Sequence, residues 1–70
     1  MNTQKIRESD NYTQAKINFL STTVDYDIKD YMENLKYLIK LHSKTAFKNE
    51  SIKAKILAYK DLLKEAEEKF

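Results

Sequence analysis

The stretch SIKAKILAYKDLLKEAEEKF, residues 51 to 70, decides the fold. In it Ile52, Ile56, Tyr59, Leu63, Ala66 and Phe70 recur at alternating intervals of four and three, which draws one apolar stripe along one face of a helix. Further back along the chain, Val24, Ile28, Tyr31, Leu35, Leu38 and His42 repeat the alternation. Two stripes of matched length predict a long antiparallel helical hairpin, with one helix over about residues 24–42 and the other over about 51–69. In that register Leu38 meets Ile56, Leu35 meets Tyr59, Tyr31 meets Leu63 and Val24 meets Phe70. Asp27 falls beside Lys69, as an exposed ion pair worth about 0.2–1 kcal/mol.

The hairpin leaves apolar surface uncovered. Met32 and Ile39 continue it past the reach of the last helix. On that helix Leu57 and Leu62 lie off the stripe, while Ala54 and Ala58 form a small pair one turn apart that lets another helix come close. Each long helix is therefore expected to have two helix neighbours. Residues 12–21 offer one, because Asn11 followed by Gln14 has the form of a capping box and Tyr12, Ala15 and Phe19 share a face with Leu20 beside them. A second hairpin offers the other. The expected fold class is all-α, as a three-helix bundle or a hairpin dimer.

Residues 12–21 have a competing reading, since Ala15, Ile17 and Phe19 alternate with Gln14, Lys16 and Asn18 as in a half-buried strand. Ser21, Thr22 and Thr23 suit the boundary that follows. A helix starting near Thr23 to Asp25 has Asp25, Asp27 and Asp30 near its positive end and Lys40 and Lys44 near its negative end. At the next turn Asn49 or Ser51 caps the last helix, and Phe47 tucks against the hairpin end. Residues 1–9, with Ile6 as their one apolar residue after Met1, read as a flexible tail, and 10–70 as a single helical domain.

At 70 residues the chain buries only about 60% of its unfolded surface, so a lone monomer is marginal. It has no Cys, hence no disulfide or thiolate metal site to staple it, and dimerisation or a bound partner is the remaining remedy. The absence of Gly and Pro argues against a Gly-rich phosphate loop and a tight primed hairpin turn. The first ten residues are polar, and no apolar run is long enough to cross a bilayer, so a soluble cytoplasmic protein is expected. Net charge is +2, with the basic excess in residues 43–64. The frequent Lys, Asn, Ile and Tyr fit an AT-rich coding sequence, and a compact chain of that kind suits a phage or mobile-element accessory protein.

Few residues could carry chemistry. His42 is the only histidine, and at a helix C-terminus it gains from the dipole without being a proton-transfer group. Asp25, Asp27, Asp30 and Glu33 scatter around the helix and compensate its dipole, with no calcium-loop spacing. No nucleophile and base pair and no cofactor fingerprint is present, so the chain reads as non-enzymatic, with no cofactor, metal or small-molecule substrate. Tyr26 and Tyr37 fall with Lys40 and Lys44 on the side of their helix away from the hairpin partner, an aromatic and basic strip suited to an interface.

The expected function is a small helical module that binds a larger protein as inhibitor, adaptor or subunit, through that strip or through Met32 and Ile39. The alternative is a dimeric nucleic-acid-binding regulator. One form is an RNA-binding hairpin dimer like ROP, with Lys53, Lys60 and Lys64 on one face to meet phosphates. The other is a ribbon-helix-helix-like dimer with Gln14, Lys16 and Asn18 reaching from a paired strand into a DNA groove.

Overall fold

The computed structural model describes residues 3–45 and 49–69. Among them are four helices and no strand: α1 (Thr3–Arg7), α2 (Asp10–Thr22), α3 (Ile28–Ser43) and α4 (Glu50–Lys69). The helical reading of residues 12–21 holds and the strand reading falls, because Tyr12, Ala15 and Phe19 are buried at helical spacing.

Side-chain caps set where the helices begin. Ser9 Oγ accepts from the Tyr12 amide at 3.3 Å and donates to the Ile6 carbonyl at 2.6 Å, closing α1 and opening α2 with one hydroxyl. The cap thus lies two residues before the expected Asn11. Asp27 accepts from the Asp30 amide at 2.8 Å, and Asn49 accepts from the Ile52 amide at 2.9 Å. Such caps contribute about 0.5–2 kcal/mol each. Between α2 and α3, the hydroxyls of Ser21, Thr22 and Thr23 bond back to the carbonyls of Ile17 and Phe19, so the helix runs out there.

The start of α3 corrects the expected hairpin. The helix begins at Ile28 and not near residue 24, since Asp27 is the side chain that caps it. Val24 consequently sits in the turn with 77% of its surface exposed, instead of in the seam. The expected Asp27–Lys69 ion pair is not formed among the described residues, the Asp27 carboxylate being engaged by the Asp30 amide. Expectations for Phe47 and Phe70 lie outside the described residues. The stretch read as an N-terminal tail holds α1, whose Ile6 packs against α2 and α4.

Helix α4 contacts each of the other three. Against α2 the residue numbers rise together, Tyr12 reaching Asp61 and Lys16 reaching Glu65, so these two helices run parallel. Against α3 the order reverses: Ile28 and Tyr31 lie beside Glu65 and Lys69, while His42 stacks on Tyr59 with ring centroids 5.8 Å apart. The core divides accordingly. Tyr12, Ala15, Ala54 and Ala58 form one cluster, with Ile6 and Leu57 at its edge. Phe19, Leu35, Tyr59 and Leu62 form the other, flanked by Tyr31, Leu38, Ile39 and Leu63.

On α4 the most deeply buried side chains are Ala54, Ala58 and Leu62, all within 3% exposure, while of the expected seam residues Tyr59 and Ala66 are buried and Ile52, Ile56 and Leu63 half-buried. At about 100° per residue the two rows occupy different sides of the helix. Helix α2 covers Ala54 and Ala58 through Tyr12 and Ala15, while Tyr59, Leu62 and Leu63 pack in the cluster that holds Leu35 of α3. Replacing Ala58, which is fully buried, by Leu should push α2 off and cost about 1–3 kcal/mol in urea unfolding. Exposed Lys53→Ala should change stability by less than about 0.5 kcal/mol, and equal effects of the two substitutions would contradict this packing.

Candidate functional site

One polar cluster joins three helices. Asp61 lies one turn beyond Ala58 on the side of α4 that faces α2, and Arg7 ends α1. Arg7 grips Asp61 with two hydrogen bonds, Nε donating at 2.9 Å and Nη2 at 3.1 Å, and the Tyr12 hydroxyl donates to the same carboxylate at 2.5 Å. Lys16 Nζ sits 5.4 Å from the Tyr12 ring centre and 3.9 Å from Glu65 Oε1. The Arg7 hydrogen bond, with that of Tyr12, holds the Asp61 carboxyl below its ordinary 3.8 against the opposing effect of burial. Burial, then the hydrogen bond to Asp61, pushes the Tyr12 hydroxyl up to about 12. Every group here is matched by another, so the cluster fastens α1 and α2 to α4 and offers no free base.

The outer side of α3 is different. Tyr37 is 61% exposed and Leu41, one turn later, 48% exposed, with Lys40 and Lys44 exposed on the same side. Tyr26 does not join them as the sequence suggested, because α3 begins after it. Met32 is half-buried, and Ile39 packs against the Phe19–Leu35 cluster. Leu41 escaped the sequence reading although it follows Tyr37 by four residues, the spacing that puts two side chains on one face.

A third feature lies at the end of the molecule that carries the α2–α3 turn. There Leu20, Tyr26, Ile28, Tyr31, Leu62 and Ala66 wall an open cleft of about 630 Å³, with Lys16, Glu65 and Lys69 on its polar side. Leu20, Tyr26 and Ile28 are each more than a third exposed. Tyr26 thus belongs to this cleft.

The nucleic-acid candidates are spread apart. Gln14 and Asn18 are exposed on helix α2, and Lys16 is half-buried and engaged by Glu65 and the Tyr12 ring. With no strand among the described residues, nothing presents these three as a ribbon. Lys53, Lys60 and Lys64 are exposed on the solvent side of α4. His42 is half-buried against Tyr59. Among the described residues no three His, Cys, Asp or Glu side chains gather as a metal site, and no helix is long and apolar enough to cross a membrane. No known protein family, curated protein or solved structure matches the chain.

The Asp61 cluster has a definite pH signature. With its pKa lowered, Asp61 contributes stability that is present above 3.8 and is lost as pH falls through the depressed folded value. With its pKa raised, Tyr12 contributes stability that is present below 10.0 and is lost as pH rises toward about 12. Tyr12→Phe should cost about 1 kcal/mol at neutral pH and flatten part of the alkaline loss, leaving the acid loss in place. Urea unfolding followed by circular dichroism across both ranges checks this, and an unchanged alkaline slope would remove Tyr12 from the cluster's energetics.

Proposed function

We propose that the protein is a non-enzymatic helical module that binds a larger protein as inhibitor, adaptor or subunit. Its working unit is the three-helix arrangement of α2, α3 and α4. The supporting observation is the outer side of α3, where Tyr37 and Leu41 stand exposed one turn apart with Lys40 and Lys44 exposed beside them. Tyrosine is a frequent energetic anchor in protein interfaces, since its ring buries much area at little conformational cost. The two lysines are in no ion pair among the described residues, so the surface suits a partner patch that is apolar at its centre and acidic at its rim. In the three-helix unit this side of α3 is turned away from α4, which leaves it free to be covered by another molecule. A phage or mobile-element origin in an AT-rich genome, with action in the cytoplasm, fits a compact chain of this kind.

The nucleic-acid reading has less support. Among the described residues its strand-borne contacts have no strand to sit on, and Lys53, Lys60 and Lys64 form an ordinary solvated face on α4.

The experiment is recovery of the bound protein from cells that make the tagged chain, followed by titration of the purified pair. Tyr37→Glu and Leu41→Asp should each weaken binding by at least about ten-fold with helicity unchanged. Gln14→Glu, on exposed α2, should not. Undiminished binding by both α3 variants would refute the proposed surface.

A further inference from the structure

Val24 is the most exposed large apolar side chain described, at 77%, and it stands in the α2–α3 turn two residues before Tyr26, which lines the cleft. Its neighbour Asp25 is exposed and takes part in no hydrogen bond or ion pair among the described residues. Within the cleft Lys16 is matched by Glu65, whereas Lys69 has no ion-pair partner among the described residues. One end of the chain therefore carries an apolar knob beside an unmatched acid, and an apolar recess beside an unmatched base.

A surface that bears both halves of a fit is self-complementary. Two copies related by a two-fold axis can satisfy both insertions at once and close into a pair, whereas unrelated knobs and recesses build open chains. We infer that this end of the molecule is a homodimer interface, in which Val24 of each copy enters the cleft of the other among Leu20, Ile28, Leu62 and Ala66, and Asp25 of each faces Lys69 of the other. Charge complementarity selects a second copy over an unrelated partner. Of the acids near the cleft, Asp27 is held as the α3 cap and Glu65 is matched by Lys16, which leaves Asp25 and Lys69 to pair across the interface. The pairing is distinct from the α3 surface, which stays open in the dimer.

Sedimentation equilibrium on the full chain tests the inference directly. The 8.3 kDa chain should sediment as a dimer that dissociates on dilution. Val24→Asp should raise the dissociation constant at least about ten-fold, because a carboxylate entering an apolar recess loses its hydration. Helicity should be retained, since Val24 lies outside both core clusters. Asp25→Lys and Lys69→Asp should each weaken pairing by roughly five-fold, and the double variant should recover most of that loss. Tyr37→Glu should leave the dimer intact. A monomer at the highest soluble concentration, or a Val24→Asp protein that pairs like the parent, would overturn the interface; failure of the double variant to recover would overturn the Asp25–Lys69 contact.

Discussion

The close approach of α2 to α4 over Ala54 and Ala58 is the constraint on which the rest of the molecule depends. Two methyl groups one turn apart, on residues 1% and 0% exposed, let Tyr12 and Ala15 pack closely against this side of α4. That contact places the Tyr12 hydroxyl on Asp61, and Asp61 in turn collects Arg7 from α1. Three residues from three helices are thus tied at one level of α4. Larger side chains at 54 and 58 would lift α2 away and break every one of these bonds together.

Seven residues past Tyr12, α2 delivers Phe19 to the second cluster. There its ring meets Tyr31 edge-on at 5.3 Å and Tyr59 tilted at 5.6 Å. Leu35, with no exposed surface, is the α3 residue driven furthest into the same cluster. The aromatic trio joins α2, α3 and α4 where the first cluster joins α1, α2 and α4. Both clusters use α2 and α4, and of these two only α4 contacts all three of the other helices. What α4 and its neighbours leave uncovered includes the outer sides of α2 and α3, the lysine face of α4, and the end that holds the α2–α3 turn.

The parts of this arrangement that were legible in the sequence are those set by local periodicity. The helix over 51–69, the inward side of Tyr31, Leu35 and Leu38, and the small pair Ala54 and Ala58 all follow from spacing alone. The start of α3 did not, because Asp25 and Asp27 are equally good caps by residue type. Only the back-bonded hydroxyls of Ser21, Thr22 and Thr23 and the burial of Thr23 carry the turn on to Asp27. That shift of a few residues moved Val24 from seam to surface and Tyr26 from the α3 strip to the cleft. The Arg7–Asp61 pair spans 54 positions, and nothing local marks it. Asp61 does share the Ala54 and Ala58 side of α4 at helical spacing, so a carboxylate there, facing a helix that carries the chain's one arginine just upstream, was the available signal.

The central claim is that α2 of the same chain covers Ala54 and Ala58. Isotope-filtered nuclear Overhauser spectra on a mixture of labelled and unlabelled protein measure this most directly. Strong contacts from the Tyr12 ring to the Ala54 and Ala58 methyls, all within one chain, are the predicted result. Contacts from those methyls to a second chain, with none to Tyr12 of their own, would instead mean that a paired hairpin covers α4, and the arrangement described above would be wrong.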